Sequence, residues 1–283
     1  CRKMNKKKAA MSLMSLALVG AVAVGGTLAF LTDTTGKVTN TFTMGKGYED
    51  ETVPGDPGTV LHTGLWLDET KIPADASADT RYPTTIGTTS ETRVEASETG
   101  TPGVEYKDLV PGDIMVKDPT FHMVAGSVKS RVVMKVTGLD ALNDLTYDGT
   151  KAFAISKDVI SDSTKATTLL NTDVSGETWK KIANKEGDMI AQDTVQDDGK
   201  LDGYYVYNQP VNAEGEKNTV DLEPLFKYIS MNKNLSNQSF EKVQNRLGQD
   251  GSTKIVVGGV ATQWENTTVA DTLAFAVEKL GSM

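Results

Sequence analysis

The chain is predicted to be mainly β: a jelly-roll-like β-sandwich with a few short inserted helices, preceded by an N-terminal signal helix. Three observations predict this. Short runs such as "KSRVVMKVTGL" and "LDGYYVYNQPV" alternate side chains with a period of two, the pattern of a strand with two distinct faces. Pro-Gly and Asp-Gly pairs punctuate the runs, and such pairs form turns. Only a few segments keep a helical period between a capping residue and a glycine. Many short strands with few helices fit sheets packed on one another.

The first 29 residues differ from the rest. Arg2, Lys3, Lys6, Lys7 and Lys8 form a basic cluster, and Ala9–Gly26, "AAMSLMSLALVGAVAVGG", is apolar and small. Thr27 and Ala29 stand two apart, as small residues do before a signal-peptidase cut, so cleavage is expected between Ala29 and Phe30. Read otherwise, Ala9–Leu31 is just long enough for an uncleaved anchor, which needs about 20 residues. Cleavage removes five basic residues and no acid, leaving 24 of the 29 Lys and Arg against 38 acids. An acidic surface repels nucleic acid and anionic lipid, so no nucleic-acid partner is expected. Cys1, the sole cysteine, would leave with the signal. A secreted domain without disulfides then depends on its core and its ladders.

Residues 30–46 are predicted to form an N-terminal strand. Val38, Phe42 and Met44 point one way with Asn40 between them, and Lys37, Thr39, Thr41 and Thr43 the other. Residues 47–104 read as an acidic, Thr-rich insertion. Within it Gly47–Thr59 and Ile72–Gly103 are expected as exposed loops, and only Thr59–Glu69, "TVLHTGLWLDE", alternates as a strand. Residues 105–283 are expected to carry the sandwich core. Pro111-Gly112-Asp113 turns into a strand from Ile114. Next comes a strand with Val132, Met134 and Val136 on one face and Arg131, Val133 and Lys135 on the other. "ETWKKIANKEGD" is expected as a short helix with Trp179, Ile182 and Ala183 inward. In the strand "LDGYYVYNQPV", Tyr204, Val206 and Asn208 alternate with Tyr205 and Tyr207. "TVDLEPLFKYISMN" leads into a strand pair. "LSNQSFEKVQNRLG" reads as a helix capped by Ser236 or Asn237, faced by Phe240, Val243 and Leu247 and ended by Gly248. The strand "TKIVVGGVATQWE" and the amphipathic helix "TTVADTLAFAVEKLG" close the domain.

Little in the sequence points to catalysis, and no enzyme activity or cofactor is expected. The two histidines, His62 and His122, fit no H-E-x-x-H or other helical zinc spacing. There is no G-x-S-x-G elbow, and cleavage would leave no Cys nucleophile. Asp193, Asp197, Asp198 and Asp202 gather around Gly199 and offer the hard oxygen ligands calcium accepts. Their spacing departs from the EF-hand loop, and an Asp-Gly run is first of all a turn. Tyr204, Tyr205 and Tyr207 fit sheet packing or a sugar-stacking surface.

The stretch "GGTLAFLTDTTGKVTNTFTMG" closely resembles the signal and first mature strand of the TasA/camelysin (CalY)-like exported proteins, which the peptidase SipW cleaves. "LVPGDIMVKDPTFHMVAGSVKSRVVMKVTG" resembles that family's L-x-P-G-D segment, its K-D strand and the strand ending "MKVT". "TKIVVGGVATQWE" resembles its penultimate strand, with Ala261, Gln263 and Trp264 in the A-x-Q-W/A signature. The likeness covers the first 46 residues, Leu109–Leu139 and Lys254–Glu265, while Gly47–Val104 departs from the family pattern. The resemblance implies a protein secreted by a Gram-positive bacterium, a jelly-roll subunit of biofilm-matrix fibres. Its subunits would link by donor-strand complementation, with Val38, Asn40, Phe42 and Met44 on the donated strand. The partners implied are copies of itself, a SipW-like signal peptidase and an accessory or nucleating matrix subunit. Two other readings stay open. One is a monomeric cell-surface binding module using Ile72–Gly103 or Tyr204–Tyr207. The other is a camelysin-type peptidase, for which no matching zinc motif is present.

Overall fold

The computed structural model describes residues 32–34, 50–53, 56–71, 84–89, 91–96, 106, 109–147, 149–172, 178–190, 199–211, 213, 215–247, 254–265 and 267–282. The chain is mainly β, with several antiparallel sheets. The strands are β1 (Thr32–Thr34), β2 (Asp50–Val53), β3 (Asp56–Thr63), β4 (Leu65–Thr70), β5 (Arg93–Glu95), β6 (Ile114–Val116), β7 (Thr120–Met123) and β8 (Ser130–Thr137). After helix α1 (Leu139–Asn143) come β9 (Thr146–Tyr147), β10 (Thr150–Lys151), β11 (Phe153–Ser156), β12 (Trp179–Ala183), β13 (Gly203–Tyr207), β14 (Val220–Asp221) and β15 (Tyr228–Met231). Helix α2 (Asn237–Leu247), β16 (Val256–Gln263) and α3 (Val269–Leu280) complete the order.

A five-stranded sheet runs β1-β16-β8-β13-β12, a four-stranded sheet β14-β7-β4-β5 and a three-stranded sheet β11-β15-β6. The pairs β2–β3 and β9–β10 stand as two-stranded units. The period-two pattern explains why the sheets stack. Val132, Met134 and Val136 of β8 enter one core with Leu65 and Leu67, Phe121 and Met123, Phe153 and Ile155, and Ile229 and Met231. These residues come from all three larger sheets, and burying each such side chain stabilises by about 1.5–3 kcal/mol. The opposite face of β8 is also buried. Val133 packs with Tyr204, Val206 and Val260 against Leu273, Ala276 and Leu280 of α3. A capping box of Thr268 and Asp271 starts that helix. Lys135 Nζ donates to the Leu280 and Gly281 carbonyls at 2.9 and 3.2 Å, placing a cation where the helix end is negative.

Gly259 shows how closely the layers approach. A Cβ there would lie 2.3 Å from Cε1 of Phe121, itself buried between the sheets. Gly259→Ala is expected to destabilise by about 1–3 kcal/mol through overpacking. A lower urea midpoint at unchanged slope would report it.

Several elements differ from the sequence expectation. Thr59–Glu69 is not one strand, because Gly64, at φ 60°, breaks it into β3 and β4; that left-handed backbone suits glycine. The expected loop Gly47–Thr59 contains β2 and the start of β3, which pair as a hairpin. The expected loop Ile72–Gly103 contains β5, which pairs with β4 from Asp68↔Glu95 to Thr70↔Arg93. The segment read as an insertion thus supplies two strands of the four-stranded sheet. The expected helix at Trp179 is strand β12, paired with β13. Trp179 joins the shared core, whereas Ile182 and Ala183 join the cluster under α3. Apolar residues three apart mimic a helical face when a strand is buried on both sides and bulged between Lys181 and Ala183.

Candidate functional site

Two places combine exposure or charge with unusual geometry. The first is the edge of the five-stranded sheet. β16 pairs with β8 along its whole length, from Val256↔Thr137 to Gln263↔Ser130. On its other side β1 pairs antiparallel with it: Thr32↔Thr262, Asp33↔Ala261 and Thr34↔Val260. This edge partner begins three residues beyond the expected cleavage point. The cleavage residues Thr27, Ala29 and Phe30 and the strand residues Val38, Asn40, Phe42 and Met44 lie outside the described residues.

The second place joins both histidines to one tryptophan. Trp66 on β4 faces His122 on β7 in register. The His122 ring stacks on the indole at 4.0 Å and 19°. The His62 ring of β3 stacks at 3.9 Å and 6°. Two rings this close to one centroid must lie on opposite indole faces, so Trp66 is sandwiched. Its Nε1 is buried without a hydrogen-bond partner, so among the described contacts its faces hold it.

Each imidazole meets a carboxylate at both nitrogens. His122 Nε2 is 2.8 Å from Asp68 Oδ1, and Nδ1 is 2.8 Å from Asp221 Oδ1. His62 Nδ1 is 2.9 Å from Glu51 Oε2, and Nε2 is 2.9 Å from Glu95 Oε1. An ionised carboxylate only accepts hydrogen bonds, so the His122 ring can donate to both of its carboxylates only as an imidazolium. Arg93 on β5 completes the cluster. Its Nη2 donates to Asp68 Oδ1 at 2.6 Å and its Nη1 to Asp118 Oδ2 at 2.8 Å. Asp118, 1 % exposed, also accepts from Thr70 N and Oγ1 at 2.8 and 3.0 Å. Burial drags the His122 pKa down, but the hydrogen bonds and charges of Asp68 and then Asp221 outweigh it and leave the value raised. For Asp68, burial pushes up, and His122 and Arg93 outweigh it to leave the carboxyl below its usual range. Arg93 is likewise pulled down by burial and held well above its ordinary value by Asp68 and Asp118.

Of the four calcium candidates, Asp193, Asp197 and Asp198 lie outside the described residues. Asp202 is buried and turned to the start of α1. Its Oδ1 accepts from Leu139 N and Asp140 N at 2.8 and 3.1 Å, and its Oδ2 from Gly138 N at 3.0 Å. It therefore acts as the missing helix cap. Among the described residues no group of three or more His, Cys, Asp or Glu is placed to hold a metal ion. Tyr204 and Tyr205 are buried on opposite faces of β13, and Tyr207 packs against the core, so these rings serve sheet packing. A cleft of about 430 Å³ lies over β11 and β15, with Lys151, Ser163, Thr168, Ser230 and Asn232 in its lining. Among the described residues no carboxylate or imidazole lines it.

Sequence reasoning missed the charged cluster because its members are spread from Glu51 to Asp221 and form no motif. The available signal was the even phase of His62, Trp66 and Asp68 within "LHTGLWLDE". Comparison with protein-family models, curated proteins and solved structures finds no match.

Proposed function

We propose that this chain is an exported structural subunit of extracellular matrix fibres. In this reading it is a jelly-roll-like sandwich whose N-terminal strand, once freed by a signal peptidase, docks on the β16 edge of a neighbouring copy. The observation that supports it is the placement of β1: it follows the expected cleavage point closely and sits at the edge of the largest sheet. Backbone hydrogen bonds supply affinity in such strand addition, and alternate side chains supply specificity. A ladder made by backbone alone does not distinguish a chain's own strand from a neighbour's. An incoming strand that keeps the β1 register would set its Val38 opposite Val256, a large hydrophobic residue 37 % exposed on β16. Val38, Asn40, Phe42 and Met44 are the donor residues in this reading. The partners are other copies, a SipW-like peptidase and an accessory nucleating subunit. Tethering by an uncleaved signal would hold the donor strand at the membrane, which makes cleavage the assembly switch.

Purified Phe30–Met283 is expected to form regular fibres that sediment and are visible by negative stain. A version starting at Gly45 is expected to remain a folded monomer. If both stay folded monomers at high concentration, the fibre reading fails and a monomeric surface-binding module takes its place.

A further inference from the structure

We propose that His62, Trp66 and His122 form a proton-operated clamp that fastens the β2–β3 hairpin to β4 and β7. The inference goes beyond the fibre reading and does not rest on it. The hairpin is a two-stranded unit, and an isolated pair of strands has marginal stability in water. His62 carries described side-chain ties from the hairpin to the sheet: its ring lies on Trp66 and its Nε2 meets Glu95 of β5. The indole in turn rests on His122, which Asp68 of β4 and Asp221 of β14 hold from either end.

The charges facing the two rings come from four strands and the segment that leads into β7. Glu51 lies on β2, Asp68 on β4, Arg93 and Glu95 on β5, Asp221 on β14, and Asp118 just before β7. With the His122 ring charged, it and Arg93 face Asp68, Asp118 and Asp221. With that ring neutral, Arg93 alone faces the same three carboxylates. A neutral imidazole has one N–H, so one of its two carboxylate contacts becomes lone pair against lone pair. The attraction of an imidazolium for the indole face is lost at the same time. A single proton on His122 therefore decides both its stacking on Trp66 and its salt bridges.

The direction follows from His122. Its raised folded-state pKa makes its contribution complete below the unfolded value of about 6.5 and lost as pH climbs through the folded value. Asp68, with its lowered pKa, contributes above the ordinary carboxylate range and fails only as pH falls through its folded value. The clamp is closed in mildly acidic solution and opens on the alkaline side.

Hydrogen exchange of the full chain, read as protection factors so that intrinsic base catalysis is removed, tests this. Amides of residues 50–53 and 56–63 are expected to lose most of their protection between pH 6 and pH 9. Amides of β8 and β16 should stay protected throughout. The His122 ring, followed by NMR, is expected to titrate above 6.5. Asp221→Asn removes one carboxylate at a side chain that is 69 % exposed, so the fold should survive. It should move both the His122 titration and the opening midpoint to lower pH. His62→Gln should leave the hairpin weakly protected at every pH. Equal hairpin protection at pH 6 and 9, or a midpoint that Asp221→Asn does not move, overturns the clamp. Neither readout involves fibres, so failure here leaves the strand-docking reading standing, and failure of that reading leaves the clamp standing.

Discussion

Replacement of Arg93 by Met is expected to destabilise the fold by about 3–5 kcal/mol, the range for breaking a buried ion pair from one side. In a domain of this size that is a fall in Tm of roughly 6–10 °C. The reason lies in what remains. Asp68 keeps His122 as a counter-ion. Asp118 does not: among the described residues the partners left to its buried carboxylate are the neutral N–H and hydroxyl of Thr70. The guanidinium also binds the Gly87 carbonyl at 3.0 Å and the Thr120 hydroxyl at 3.0 Å, so its loss slackens the chain leading into β5. Arg93→Met with Asp118→Asn should be less destabilised than Arg93→Met alone, because the amide still accepts from Thr70 N without an uncompensated charge. Urea denaturation of the four proteins of this cycle gives the coupling directly. Additive losses would mean that Arg93 acts through its other contacts and not through Asp118.

Arg93 also shows where sequence reading stops. The strands β8, β13 and β16 were legible because their alternation is long and both faces are buried by different partners. Helix α3 was legible from Thr268 and Asp271 before an amphipathic run, and α2 from Ser236, whose Oγ accepts from Ser239 N at 3.1 Å. By contrast, Arg93 sits in a Thr- and Glu-rich stretch with no period. What makes β5 a strand is the pairing of three residues with β4 and two carboxylates waiting on β4 and before β7. That information is tertiary. The β2–β3 hairpin was hidden for a related reason: "DETVPGDPGT" has turn chemistry, and its flanks lack the apolar alternation that announces a strand. Asp202 looked like a member of an acidic metal loop by proximity in sequence, yet its partners at Gly138 to Asp140 are more than sixty residues away. Isolated charges, unlike apolar periods, acquire their roles from partners that only the fold selects.

Trp179→Ala is expected to have an effect of similar size, about 3–5 kcal/mol, the range for Phe or Trp truncation in a core. Trp179 is 1 % exposed although it lies on β12, at the end of the five-stranded sheet. Its ring meets Phe121 at 5.9 Å and 55° and Tyr207, its partner across β13, at 5.1 Å and 72°. Edge-to-face pairs of this kind add about 0.5–1.5 kcal/mol beyond area burial. The indole Nε1 donates to the Glu223 carbonyl at 2.7 Å, tying the sheet to the chain that runs into β15. Trp179→Phe separates these contributions, since it keeps most of the apolar volume and removes the donor. Its loss should approach the value of one hydrogen bond, about 0.5–1.5 kcal/mol, plus a small void. A second readout follows from Tyr207, whose pKa is raised chiefly by burial. Opening a cavity beside it in Trp179→Ala admits water and should return that value toward the ordinary tyrosine range near 10, whereas Trp179→Phe should leave it raised. Were β12 a surface helix with the indole merely resting on the core, alanine would destabilise by far less and Tyr207 would titrate unchanged in both variants. The paired measurement of urea midpoint and Tyr207 titration thus tests the strand, its register and the depth of the core at one position.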